Sequence, residues 1–121
     1  MSAGAAPAPG SAQLRVLRQA YHLAPRPLRV LWLQHRLARI LASYVSRTAY
    51  VKVARILEDN HRAAGLPRPS PIEREQLILD AEEVQCVVDS LGRTWRFQGR
   101  YTAGRRRSRP PTYLVYMREE G

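Results

Sequence analysis

Residues 28–64 read LRVLWLQHRLARILASYVSRTAYVKVARILEDNHRAA. No Pro or Gly interrupts them, and Leu, Ala and Arg, all good helix formers, recur from end to end. The stretch predicts one very long helix. At about 100° per residue, Arg29, Arg36 and Arg47 project within roughly 20° of one another, with Arg39 on the flank, so they form a basic stripe. The rest of the circumference is apolar, from Leu31 and Leu37 through Ile40, Leu41, Tyr44 and Val45 to Val53, Ile56 and Leu57. That is wider than a solvent-exposed helix needs. The helix is therefore buried on more than one side, or interrupted near Ser43 and Ser46.

On the amino side, Pro25 and Pro27 separate this segment from a shorter one, because proline bars the residue before it from the helical region. Leu14, Leu17 and Tyr21 recur at helical spacing while Arg15, Arg18 and His22 share another face, which predicts a short amphipathic helix over about 12–24. Residues 1–11 are mostly Ala, Pro and Gly and predict a flexible arm. On the carboxyl side Gly65 and Pro67 stop the long helix. A third begins at Ser70 as N-cap, with Pro71 at the first helical position and Glu73 completing a capping box. Leu77, Ala81, Val84, Val88 and Leu91 step by four and three, predicting an apolar seam that runs to Gly92. The expected fold is all-α: a three-helix bundle over 12–92 with a short first and a long second helix, followed by an extended basic tail over 93–121.

A chain of 121 residues has room for one core. Its 20 basic and 10 acidic residues leave a formal charge of +10, which implies acidic or polyanionic partners. The charge is distributed in blocks: nine bases and no acid up to Leu57, eight acids against three arginines from Glu58 to Asp89, then eight bases and two acids. An acid-free, Ala- and Arg-rich amino end resembles a mitochondrial transit sequence in composition. The single Cys86 excludes an intramolecular disulfide, and no Cys/His spacing suggests a metal site. The apolar run Val30–Leu33 is far short of the roughly 20 residues that cross a bilayer.

Catalytic constellations are weak. His22, His35 and His61 are dispersed, Cys86 has no companion His, and no phosphate-binding Gly-rich loop or GxSxG elbow occurs, so no enzyme activity and no catalytic residue is expected. Two docking surfaces remain. One is the helical stripe of Arg29, Arg36, Arg39 and Arg47, joined by Arg15 and Arg18 if the first helix packs antiparallel to the second; its forked guanidinium groups suit carboxylates. The other is the tail, where Arg105, Arg106, Arg107 and Arg109 stand among Trp95, Phe97, Tyr101 and Tyr113. That combination suits a protein neighbour, or RNA whose bases stack on aromatic rings while arginine neutralises phosphate.

A short helix carrying Val16-Leu17-Arg18 and Tyr21, a long Arg-rich helix ending in Ile56-Leu57-Glu58-Asp59-Asn60, and a Ser-Pro start to an acidic third helix together resemble the LYR-motif proteins of mitochondria. In layout the chain is most similar to the accessory subunits of respiratory complex I. It departs from the motif in having Leu17 where the family has Tyr. The resemblance implies a three-helix bundle that binds the mitochondrial acyl carrier protein, with Arg18 carrying over from the motif and the carrier's acyl-phosphopantetheine entering the bundle. The function expected is thus a non-catalytic adaptor in a mitochondrial complex, on the matrix side, docking an acyl carrier protein and neighbouring subunits. The alternative is a mitochondrial ribosomal or other RNA-associated protein.

Overall fold

A computed structural model describes residues 16–104 and 110–120. The long apolar stretch is not one helix. Helix α1, Arg26–Ala42, starts behind Pro25 with Pro27 in its first turn, where a missing N–H is harmless. It stops at Ser43, whose hydroxyl and N–H both turn back onto the Ile40 carbonyl at 2.7 and 3.1 Å. The chain then enters strand β1, Thr48–Lys52, before resuming as helix α2, Val53–Ala64. The break near Ser43 and Ser46 has a local cause. Val45, Thr48, Tyr50 and Val51 are β-branched or aromatic residues that lose side-chain freedom in a helix but fit a pleated surface. Their alternation is strict, with Ala49 and Val51 buried and Tyr50 and Lys52 exposed.

Helix α2 ends at Gly65 in the left-handed region (φ 69°), where the Leu66 N–H reaches the His61 carbonyl at 2.8 Å and the Gly65 N–H reaches Arg62 at 3.3 Å. Helix α3, Pro71–Val84, opens on the expected capping box: Ser70 Oγ accepts from the Glu73 N–H (3.3 Å), and Glu73 Oε1 accepts from the Ser70 N–H (2.9 Å). It does not run to Gly92. Gln85 takes a positive φ of 62° and turns the chain into β2, Cys86–Val88. Of the expected seam, Leu77 and Ala81 are buried, whereas Val88 and Leu91 have left the helix and are exposed.

The expected tail supplies half of a sheet. Strands β3, Thr94–Thr102, and β4, Thr112–Arg118, complete a four-stranded antiparallel sheet in the order β1-β4-β3-β2. Tyr101 stands opposite Tyr113, Tyr50 opposite Val115 and Lys52 opposite Tyr113, with an irregularity in β3 between Phe97 and Gly99. The three helices cover one face only. Ala49, Val51, Val87, Trp95, Phe97, Leu114 and Tyr116 meet Trp32, Leu33, Leu37, Leu41, Ile56, Leu57 and Leu77 in one core. The all-α bundle is therefore replaced by a two-layer α/β fold. The apolar circumference that looked too wide for a helix serves to cover a sheet.

Where a short first helix was expected, the described part of the segment is a strap with a single 3₁₀ turn at Tyr21–Leu23. Leu17 and Tyr21 are buried, but polar clamps hold the backbone there. Asn60 Oδ1 accepts from the Leu17 N–H at 2.6 Å and its Nδ2 donates to the Leu17 carbonyl at 3.1 Å. Glu73 Oε2 accepts from the Tyr21 N–H at 2.8 Å and lies 2.6 Å from His61 Nε2. The Tyr21 hydroxyl donates to Asp80 at 2.5 Å, and Asp80 is also held by Arg29. Asn60→Ala removes both partners of a buried peptide group, each such loss costing about 1–3 kcal/mol. The variant should lose about 3 kcal/mol in urea unfolding, with its α/β circular dichroism retained.

Asp89 ties the two layers together. Its buried carboxylate accepts from the N–H groups of Leu91 and Arg93 (both 2.9 Å), from Arg93 Nε (2.8 Å) and from Trp95 Nε1 (2.9 Å). The same Arg93 donates to the last carbonyls of α1, Leu41 at 3.2 Å and Ala42 at 3.0 Å. Burial alone would raise the Asp89 pKa, but the bonds from Trp95, Arg93 and Leu91 outweigh it and hold the group at about 2, against an ordinary 3.8. A carboxylate whose pKa is depressed in the folded state contributes stability that is complete above the unfolded pKa and is lost as pH falls through the folded one. About 2 kcal/mol should disappear between roughly pH 4 and 2, at 1.36 kcal/mol per pKa unit. Acid titrations of unfolding free energy should show this limb in the parent and a flatter one in Asp89→Asn.

Candidate nucleic-acid interface

The sheet face turned away from the helices is built by alternation. Tyr50 and Lys52 from β1, Tyr113, Val115 and Met117 from β4, and Arg96 and Tyr101 from β3 lie on it, as the register with Val115, Tyr113 and Met117 requires. Three tyrosine rings meet there. Tyr50 and Tyr101 are 5.9 Å apart between centroids and Tyr50 and Tyr113 6.5 Å, both edge to face, while Tyr101 and Tyr113 are 6.4 Å apart and tilted by 36°. Such pairs stabilise an antiparallel ladder by roughly 0.2–1 kcal/mol each. The Tyr44 hydroxyl donates to the Tyr50 carbonyl at 2.9 Å and helps fix the edge strand. The face stays open: Tyr50 and Tyr101 are each 50% exposed, Met117 43% and Val88 59%.

No strand places a carboxylate on this face, and the reason lies in where the acids are spent. Asp59 pairs with Arg36, Glu73 with His61, Glu75 and Glu82 with Arg100, Asp80 with Arg29, Glu83 with Arg26, Asp89 with Arg93, Glu119 with Arg96 and Glu120 with Arg47. Among the described residues Glu58 alone of the acids has no such partner. The surplus cations are the ones with no acidic partner among the described residues. Lys52, Arg55 and Arg74 are of this kind and line two adjacent clefts that share Lys52. Arg18 and Arg39 are exposed on the helical side.

The residues expected to form a helical stripe do not assemble into one. Arg29 is nearly buried, 2.9 Å from Asp80 and also bonded to the Ala24 carbonyl. Arg36 faces Asp59 at 3.4 Å. Arg47 stands in the link before β1, not on a helix, and pairs with Glu120 at 2.9 Å. Arg18 and Arg39 have no acidic partner among the described residues. Arg15, Arg105, Arg106, Arg107 and Arg109 lie outside the described residues. Of the tail aromatics, Trp95 and Phe97 point into the core, while Tyr101 and Tyr113 reach the outer face. Tyr50, Lys52 and Arg74 were not anticipated. The signal for Tyr50 and Lys52 was the period-two alternation Thr48-Ala49-Tyr50-Val51-Lys52, hidden inside a run that also satisfied a helical period.

The apolar faces of the helices pack on the sheet, and the two clefts of about 430 and 320 Å³ both include charged residues in their linings. The closest approach to an acid/base pair, His61 with Glu73, is buried under the strap, with both side chains 4% exposed. Among the described residues no group of three His, Cys, Asp or Glu side chains could hold a metal ion, and no helix is long and apolar enough to cross a membrane. No protein-family model matches the chain, and neither a curated protein nor a solved structure matches it.

Because Tyr50 and Tyr101 contribute only half of their surface to the fold, the double replacement Tyr50→Ser/Tyr101→Ser should cost about 1–2 kcal/mol, the sum of the cross-strand pairs lost. Thermal unfolding followed by circular dichroism should show a modestly lowered Tm with cooperativity kept. This places the tyrosines on the surface as groups that can be removed without unfolding the chain.

Proposed function

We propose that the protein is a non-catalytic binder of single-stranded RNA, and that the open sheet face is its contact surface. The observation that carries this reading is the trio of exposed Tyr50 and Tyr101 with half-buried Tyr113, on a face with no strand-borne carboxylate. Unpaired bases stack on aromatic rings, each such contact contributing about 1–3 kcal/mol, and a cationic surround follows the phosphates. Edge-to-face packing holds the rings in place, so little side-chain freedom is lost when a base arrives. The formal charge of +10 favours a polyanion, and the link between β3 and β4 carries four arginines in its sequence.

The adaptor reading, with an acyl carrier protein held on the arginine stripe, has less to rest on. Arg29, Arg36 and Arg47 are already engaged by Asp80, Asp59 and Glu120. Carboxylates of a partner would have to displace those acids, at a cost that is greatest for the nearly buried Arg29.

Fluorescence anisotropy with labelled single-stranded RNA tests the proposal. Tyr101→Ala should weaken binding about 5- to 100-fold, the equivalent of one stacked base. The double reversal Arg18→Glu/Arg39→Glu on the helical side should change it little. Affinity that survives the loss of Tyr50 and Tyr101 together would count against the tyrosine platform, and sensitivity only to Arg18 and Arg39 would move the docking surface to the helices.

A further inference from the structure

Beside the tyrosine trio the sheet ends in a cleft of about 430 Å³, lined in part by Lys52, Arg74, Glu75 and Arg100. Lys52, the last residue of β1, stands opposite Tyr113 in the ladder and also lines the cleft, so the two features adjoin. Across from it Arg74, on the first turns of α3, donates from Nη1 to the Pro69 carbonyl at 3.2 Å. That single bond positions the guanidinium and leaves most of its donors unused. The one acid in the lining, Glu75, is gripped by both terminal nitrogens of Arg100, at 3.3 and 3.2 Å. The carboxylate is neutralised, and Arg100 is held in a fixed place. Lys52 and Arg74 therefore line a concave space in which, among the described residues, no free negative charge opposes them.

A nucleotide carries its phosphate next to its base. A strand stacked on Tyr113 and Tyr101 brings a phosphate to the rim where Lys52 and Thr112 stand. The alternative occupants are poorer fits: an apolar group would strand two cations, and a metal cation would be repelled. A forked guanidinium facing an ammonium suits a phosphate, whose oxygens accept from both. We infer that this cleft holds a backbone phosphate of the RNA strand whose bases lie on the tyrosine trio, with Lys52 and Arg74 as its ligands. The inference rests on the RNA-binding reading and adds a defined electrostatic contact to it.

The slope of binding against salt separates the two. For single strands log K falls with log salt by about 0.7 for each phosphate neutralised. The same single-stranded RNA is titrated into the parent chain, Lys52→Gln, Arg74→Gln and Tyr101→Ala across a series of salt concentrations, with circular dichroism confirming the fold of each variant. Lys52→Gln and Arg74→Gln should each weaken binding about three- to tenfold whatever the base sequence, and the two together should flatten the slope by about 0.7, whereas Tyr101→Ala should weaken binding with the slope unchanged. An unaltered slope in the Lys52→Gln/Arg74→Gln double variant, with the Tyr101→Ala effect intact, would overturn the phosphate cleft and leave the stacking platform standing. If the parent binds no RNA, the platform falls, and an NMR titration with inorganic pyrophosphate decides the cleft separately. Shifts confined to Lys52, Arg74 and Thr112 would keep it as an anion site, and their absence would remove it.

Discussion

The fold turns on one buried carboxylate. Asp89 gathers four donors from Leu91, Arg93 and Trp95 and, through Arg93, closes the carboxyl end of α1. Helix ends leave their last carbonyls unmet, and a cation placed there satisfies both the hydrogen bonds and the helix dipole. The Ser90 N–H adds a further bond to the Ala38 carbonyl. With α1 ended at this point the chain is free to leave as β1, and Trp95, bonded to the same carboxylate, fills the centre of the core. Helix layer and sheet layer are thus joined at a point where a charge, a helix terminus and a buried tryptophan meet.

A second set of buried acids does comparable work at the other side of the helical layer. Burial would raise the Glu73 pKa, but the N–H groups of Ser70 and Tyr21 and the His61 ring outweigh that and keep it low. Asp80 behaves likewise under Arg29, Tyr21 and Gln76. These carboxylates pin the strap over 16–24 to α2 and α3. Internal use of acid has an external consequence: most of the negative charge is consumed on the helical side, and the outer sheet face is left with tyrosines, Lys52 and an arginine already paired to Glu119. The chemistry proposed for that face follows from this segregation and not from net charge alone.

Local signals with a single physical meaning were legible in the sequence. Ser70, Pro71 and Glu73 form a capping box whatever follows, since its bonds lie within four residues, and Gly65 ends α2 because only glycine takes its backbone angles without strain. The burial of Leu17, Tyr21, Leu37, Leu41, Ile56, Leu57 and Leu77 was also visible in apolar spacing. The break after Ala42 was visible only as an alternative. Ala49, Val51 and Val53 alternate as a strand does, but Ala49, Val53, Ile56 and Leu57 also step as a helix does, and the seam through Val88 and Leu91 continued a helical period by coincidence. Trp95 and Phe97 looked like tail aromatics because their neighbours are Arg96 and Gln98, which is what a half-buried strand looks like.

The sequence by itself determined the N-terminal cap of α3, the stop at Gly65 and the sign and blocks of charge, because each depends on composition or on bonds spanning a few residues. Tertiary structure alone decided that 48–52, 94–102 and 112–118 are strands, since a strand exists only when a partner up to about seventy positions away completes its ladder. It also decided which arginines are spent on acids, and hence where the free charge lies. The tyrosine trio belongs to this second group. Tyr50, Tyr101 and Tyr113 are scattered along the chain, and only the register of three strands brings their rings together.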